Sequence, residues 1–338
     1  MAHGLLAPCS VSLPQKSRQG DSLTSICLYN LTKKLTAQSA QPDYAVLPKE
    51  HLIMECCCVK RCPKGAIDMI TLMYITNKPE VALIAERSNV DRVFLDMEYI
   101  GKAERQGEMD TVQCTHTIED IKNIRKVITK SELLVRCNSI YSGSEEEINN
   151  IIDAGADVIM LPYFKTADEV SFFINTVAGR AKVCLLVETP QAVEQIDEIL
   201  ALDGIDEAHI GINDLSIGYC KKFLFEVLAD GTVDYLCKKF KEKKIRYGFG
   251  GIASLGRGKL TSDYVIMEHY RLGSTMAILS RSFCNTEKMH DLSAINAVFT
   301  NGVKAIREYE AYCREHPELW ETNKKEAAEA IASIAAEM

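Results

Sequence analysis

Two carboxylates in residues 182–218, KVCLLVETPQAVEQIDEILALDGIDEAHIGINDLSIG, have the type and spacing for metal chemistry: Glu188 and Asp214. Residues 182–187 form an almost unbroken apolar run, the pattern of a parallel strand buried on both faces, and Glu188 closes it. Pro190 then allows a helix to begin, and Val193, Ile196, Ile199 and Leu200 recur at helical spacing. A second apolar run, Ala208 to Ile212, ends in Asn213 and Asp214. The two carboxylates stand 26 positions apart (214 minus 188), close to one strand-helix-strand unit of roughly 30 residues. Both are therefore expected at the carboxyl-terminal rim of neighbouring strands, where folds of this class bind ligands. Singly, each also reads as a cap, Glu188 of the Pro190 helix and Asp214 of a turn. As a pair they would repel, and a divalent cation between them is the economical answer. Hard oxygen donors at so few positions suit Mg²⁺ or Mn²⁺, which keep waters or take oxygens from a substrate.

The elements that must position this pair extend from Thr71 onward, where strand and helix patterns alternate. Strands are expected at 71–76, 92–98, 133–138, 158–162, 182–187, 208–212, 247–252 and 275–280. Helices are expected at 79–88, 118–128, 145–154, 167–177, 233–243 and 263–271, with a long one over about 292–313. Eight strands separated by helices are the count for a closed (β/α)8 TIM barrel over residues 69–316. Residues 317–338 form an Ala- and Glu-rich C-terminal helix that the barrel does not need.

Residues 1–68 are rich in Ser, Gln, Pro and Cys and show no sustained apolar period. They are expected to be an unstructured N-terminal segment or not native coding sequence, with Met69 or Met73 as the start. A transit peptide within residues 1–40 is the alternative, since only Asp21 is acidic there against Lys16, Arg18, Lys33 and Lys34. Cys56, Cys57, Cys58 and Cys62 before Pro63 resemble the end of an iron-sulfur run, but Leu52 and Glu55 stand where upstream ligands are required.

The whole chain of 338 residues carries a net charge of −8, with basic residues dispersed along the helices, which argues against a nucleic-acid partner. The sequence has no apolar run of about 20 residues, the length needed to span a membrane. The 13 cysteines follow no disulfide framework, so the thiols are expected to be reduced, in the cytoplasm or an organelle matrix.

At the rim, strand 2 ends in LDMEY, placing Asp96 and Glu98 on one face, and strand 3 ends in VRCN. Arg136 is costly inside an apolar strand unless it meets an anion, either a ligand carboxylate or Asp96 and Glu98 in a structural ion pair. Pro162 at the end of strand 4 and Asn213 after strand 6 are further candidates for substrate contact. Gly250 and Gly251 in GFGGIA offer either a phosphate-binding turn, with Arg257 and Lys259 nearby, or tight barrel turns.

The motifs VFLDMEY, LLVRCN, DAGADVIMLP, LLVETPQAVEQIDEI and GIDEAHIGINDLSIG occur in this order over about residues 71–283. Together they resemble the HpcH/HpaI aldolase and citrate lyase β-subunit family. The resemblance implies a barrel that binds Mg²⁺ or Mn²⁺ and makes or breaks a carbon-carbon bond through an enolate of a small oxo-acid or acyl substrate, in a homo-oligomer. It also implies that Glu188 and Asp214 are metal ligands, that Arg136 binds the enolate or carboxylate, and that Asp96 and Glu98 are the acidic strand-2 motif. Lys102 and Arg105 in DMEYIGKAERQ look like the lyase branch. Two positions depart from the aldolase branch: Tyr99 replaces its histidine and Leu186 its glutamine. His116 is a candidate replacement base, and His209, out of phase with Ile210, Ile212 and Asp214, is expected to face the helices. Lys165 is the nearest lysine for a Schiff base and reads better as a solvated helix entry. The alternatives are a phosphate-binding barrel of another class, an isomerase or enolpyruvate-utilising transferase, and a barrel that binds metal and oxo acid without turnover.

Overall fold

Nine parallel strand segments surround the axis of the protein: β1 (Thr71–Ile75), β2 (Arg92–Asp96), β3 (Glu132–Arg136), β4 (Val158–Leu161), β5 (Lys182–Val187), β6 (Glu207–Ile210), β7 (Arg246–Phe249), β8 (Gly251–Ile252) and β9 (Met276–Leu279). Their order in the sheet is β7-β6-β5-β4-β3-β2-β1-β9-β8. The computed structural model describes residues 69–101 and 116–338, all within one unit of the chain. β7 and β8 are two halves of one stave: β7 pairs with β6, β8 pairs with β9, and Gly250 joins them. Gly250 has φ +54°, and a Cβ there would lie 2.8 Å from Ile212 Cδ1, so the bend needs glycine. Thr275 N donates to Tyr247 O at 2.9 Å and seals the seam. Eight staves therefore close into the (β/α)8 barrel, with the stave expected at 247–252 broken in the middle.

The outer layer contains α1 (Pro79–Arg87), α2 (Ile118–Val127), α3 (Ser144–Asp153), α4 (Ala167–Val177), α5 (Pro190–Glu194), α6 (Ile196–Ile199), α7 (Ile212–Gly218), α8 (Glu226–Ala229), α9 (Thr232–Glu242), α10 (Ser262–Leu272), α11 (Leu292–Glu315) and α12 (Trp320–Glu337). The periodic stretch after Pro190 is two short helices, not one, since Gln195 leaves helical geometry between them. The apolar run to Ile212 predicts a longer sixth strand than the one observed, which stops at Ile210. Gly211 ends it and α7 starts at Ile212, so Asn213 and Asp214 sit in a first helical turn and not on a strand tip.

Inside the barrel, paired positions on neighbouring staves face the same way: Phe94 with Leu134, Met160 with Cys184, and Leu186 with His209. Met73, Phe94, Leu134, Val158, Met160, Cys184, Leu186 and Met276 fill the interior as one apolar cluster. His209 therefore points inward, not toward the helices as its phase with Asp214 suggests, because strand alternation does not carry past Gly211. Its Nε2 donates to Gly250 O at 3.1 Å.

The amino-terminal floor of the barrel is charged. Arg92 is fully buried, with Nε donating to Glu132 at 2.7 Å and Nη1 and Nη2 donating to Glu207 at 2.5 and 2.7 Å. Lys182 bonds the other Glu132 oxygen, and Arg246 pairs with Glu207 and Thr71.

The C-terminal helix is not peripheral. α12 packs on α8 and α10, and Asn323 Nδ2 donates to Tyr264 O at 3.2 Å and Glu268 Oε1 at 3.0 Å. Lys324 reaches Asp234 at 3.0 Å, which Arg271 also holds. Among the described residues no helix is long and apolar enough to cross a membrane.

Arg92→Met leaves Glu207 without its buried partner and is expected to cost about 3–5 kcal/mol in urea unfolding, partly recovered by adding Glu207→Gln. An Arg92→Met protein as stable as wild type would contradict the floor's role. Burial pushes the His209 imidazole down to about 4 and that of His269, stacked on Phe249 with centroids 3.9 Å apart, down to about 3, from an ordinary 6.5. The unfolded chain therefore binds more protons below 6.5, and stability falls as pH drops from 6.5 toward 4. The slope is at most about 1.4 kcal/mol per pH unit for each histidine. His269→Phe should show a shallower decline over that window than wild type, and an identical slope would refute the assignment.

Candidate active site

The rim is built first at β2 and β3, whose register sets Asp96 opposite Arg136. Arg136 Nε and Nη2 donate to the two Asp96 oxygens at 2.9 and 2.7 Å, and Glu98 Oε2 lies 3.4 Å from Nε. Both carboxylates are buried, so both readings of Arg136 have a physical basis: it forms a structural ion pair and also lines a cavity. Burial alone would weaken its charge, but the neighbouring Asp96 and Glu98 carboxylates outweigh that and hold the guanidinium proton well above arginine's ordinary value. The hydrogen bonds to Asp96 use Nε and Nη2, and Nη1 is the nitrogen left for a ligand. Asn138 Oδ1 accepts from Tyr99 N at 2.9 Å and Ile100 N at 3.0 Å, fixing the turn after Glu98, and Glu147 in turn orients Asn138.

β5 and α7 bring the second pair of carboxylates. Glu188 is 3% exposed and Asp214 8%, and both line the same cavity of about 590 Å³ as Arg136 and Asp96. Thr189 locks the end of β5: its hydroxyl donates to Phe164 O at 2.8 Å and accepts from Ala192 N at 3.1 Å, capping α5 beside Pro190. Tyr163 N donates to Glu188 Oε1 at 3.0 Å. Tyr163 has φ +50°, a left-handed conformation that costs a non-glycine residue about 1–3 kcal/mol and here aims its N–H at the carboxylate. Gly211 makes room for the other oxygen, since a Cβ there would stand 2.5 Å from Glu188 Oε2. Asn213 Nδ2 donates to Asp214 Oδ1 at 3.3 Å.

This donor set fits the divalent ion that the sequence suggests. Two buried carboxylates are hard ligands, one of them seated in a space that a side chain at residue 211 would fill. Among the described residues no group of three or more His, Cys, Asp or Glu is placed to hold a metal ion by itself. Waters and substrate oxygens would complete the shell, as Mg²⁺ and Mn²⁺ prefer.

Gly250, Gly251 and Asn213 also line the cavity. Gly250 N donates to Ile210 O at 3.0 Å and Gly273 ends α10 with φ +72°, so these glycines serve barrel turns. Glu98 lies behind Arg136, and Pro162 is buried without lining the cavity. His116 does line it, with Nδ1 accepting from Asp96 N at 2.9 Å. That bond fixes the orientation of the ring beside Asp96. Lys165 Nζ lies 5.4 Å over the Tyr163 ring and is absent from the cavity lining. Tyr99 is 64% exposed, while Leu186 is buried and lines the cavity. Lys102 and Arg105 lie outside the described residues, as do the iron-sulfur-like cysteines and all of residues 1–68. The two residues that seat Glu188, Tyr163 and Gly211, carry no motif of their own in the sequence. The only local signal is a glycine inside the apolar run of strand 6, which hints at a close approach of another group.

Comparison with known proteins bears on the fold and on residues 70–222. The sequence pattern of the HpcH/HpaI aldolase/citrate lyase family matches residues 70–222. A hydroxypyruvate/pyruvate aldolase of Sagittula stellata is 35% identical over a region covering 22% of this chain and 41% of that enzyme, so less than half of the relative's length is matched. Two crystal structures share the fold. An HpcH/HpaI aldolase from Desulfitobacterium hafniense has a TM-score of 0.50 at 16% identity, covering 71% of this chain and 93% of its own. An HpcH/HpaI aldolase/citrate lyase family protein from Burkholderia cenocepacia has a TM-score of 0.52 at 13% identity, covering 67% and 95%. Residues 70–222 are thus similar to the HpcH/HpaI aldolase/citrate lyase family, and the barrel shares the fold of two of its solved structures.

Proposed function

We propose that the protein is a divalent-metal-dependent carbon-carbon lyase that acts on a 2-oxo acid or acyl substrate through an enolate. The observation that carries this reading is the meeting of Glu188, Asp214 and Arg136 on one cavity at the carboxyl-terminal rim of the barrel. Glu188 and Asp214 would hold Mg²⁺ or Mn²⁺. When bound, such an ion supplies Lewis acidity, drawing electron density from a carbonyl oxygen.

The chain's own residues do the rest. Arg136, charged and held in a fixed plane by Asp96, presents Nη1 to the negative charge that grows as a C–H or C–C bond beside the carbonyl breaks. Asp96 positions that guanidinium through two hydrogen bonds, and Glu98 adds negative charge 3.4 Å from its Nε. His116 stands at the same mouth, its Nδ1 held by the Asp96 N–H, where it can exchange a proton with a ligand. Tyr163 and Gly211 keep Glu188 in one orientation, which spares the site reorganisation when a ligand arrives. Leu186 and Met160, both buried, lie along the cavity with Ile278 and exclude water beneath the reacting atoms.

Calorimetric titration with Mn²⁺ tests the ligands directly. Glu188→Gln and Asp214→Asn should each weaken binding by at least about 100-fold, and Gly211→Ala, which crowds Glu188, by about 10- to 100-fold. Circular dichroism should show all three folded. Wild-type Mn²⁺ affinity in Glu188→Gln or Asp214→Asn would remove the metal assignment.

A further inference from the structure

The family match ends at residue 222, and the cavity wall supplied by the chain beyond it has a different character. Phe223 and Phe225 stand edge to face at 5.5 Å, nearly buried at 3% and 8% exposure. With Ala253, Leu260 and Val265 they line the side of the cavity next to β6 and β8. Polar groups share the lining: Arg136 and Asp96 near β3, Asn213 and Asp214 just after β6, Lys78, and Lys259 beside Leu260. A volume of about 590 Å³ lies within the roughly 300–1,000 Å³ typical of sites for ligands much larger than pyruvate. A three-carbon oxo acid held at Arg136, Glu188 and Asp214 would leave the aromatic side without a partner, and apolar walls facing a cavity favour apolar ligand surface.

The same wall is held from behind by the C-terminal helix. α12 packs on α8, which directly follows Phe225, and on α10, which carries Val265. Asn323 fastens α12 to Tyr264 O and Glu268, and Lys324 fastens it to Asp234. An extension that closing the barrel does not require thus braces two elements that shape the cavity.

We propose that the β6 and β8 side of the cavity is a subsite for the apolar tail of a medium-chain carbonyl substrate. Phe225 and Leu260 determine its specificity, and α12 holds the wall in place, with Asn323 as a positioning residue. The carbonyl head of that substrate rests on the reading under Proposed function; the tail subsite does not.

The test is calorimetric binding of two straight-chain series to the full-length protein with Mg²⁺ present: 2-oxo acids from pyruvate to 2-oxooctanoate, and primary alcohols from propanol to octanol, which lack the oxo-acid head. In wild type the Kd should fall by roughly two- to fourfold per added methylene in both series, as expected for burying a CH₂ group. Phe225→Ala and Leu260→Ser should flatten that dependence. Asn323→Ala, which touches α10 and not the cavity, should flatten it partly, whereas a merely structural role would lower the melting temperature and leave the chain-length ratio unchanged. Chain-length dependence with alcohols but no binding of any oxo acid would overturn the head-group reading and uphold the subsite. Affinity independent of chain length in wild type, or a dependence unchanged in both Phe225→Ala and Leu260→Ser, would overturn the subsite.

Discussion

The bidentate pair between Arg136 and Asp96 is the join on which the rim depends. Asp96 is buried and Arg136 largely so, where a lone charge is costly, and β2 and β3 pair in a register that sets them side by side. From that pair the surrounding geometry follows. Glu98 adds a second carboxylate to the same guanidinium, and the backbone N–H of Asp96 fixes one nitrogen of His116. Asn138, two residues beyond Arg136, grips the turn that follows Glu98. Loss of Asp96 would remove both of the guanidinium's hydrogen-bonded oxygens and leave Glu98 at 3.4 Å as its nearest carboxylate. The same pairing keeps one guanidinium nitrogen available where charge would develop in a reaction.

Across the mouth, backbone geometry seats the second acidic centre. Glu188 takes an N–H from a residue in a left-handed conformation and occupies space released by Gly211. Local strain at Tyr163 and a glycine at a strand end are features that stability alone does not favour, and they converge on one carboxylate. The departures from the aldolase pattern have distinct consequences. Leu186 makes the interior apolar beneath Glu188, while Tyr99 turns outward and leaves His116 as the imidazole beside Asp96.

Much of the barrel was legible in the sequence because parallel staves, covered on both faces, must be continuous apolar runs, as in TLMYI and KVCLLV. That Glu188 and Asp214 meet on one cavity was legible for a related reason: Glu188 closes such a run, and one strand-helix unit later Asp214 follows another. What stayed hidden depends on where a strand stops. Gly211 ends β6 before the apolar run does, which puts Asp214 in a helix and reverses the facing expected for His209. The bend at Gly250 and the plug made by Arg92 with Glu207 and Glu132 rest on contacts between residues far apart in the chain, which no local pattern encodes. The C-terminal helix reads as dispensable in the sequence because its attachment runs partly through the polar Asn323 and Lys324.

The most direct measurement is proton NMR of pyruvate in D₂O with the purified protein and Mg²⁺ or Mn²⁺, with and without EDTA. The account predicts that the methyl signal is lost only when the ion is present, and that Glu188→Gln, Asp214→Asn and Arg136→Lys each suppress the loss, the last because an ammonium lacks the planar fork that Asp96 orients. Methyl exchange that persists in EDTA or in Glu188→Gln, or no exchange of pyruvate under any of these conditions, would contradict enolate formation at this site.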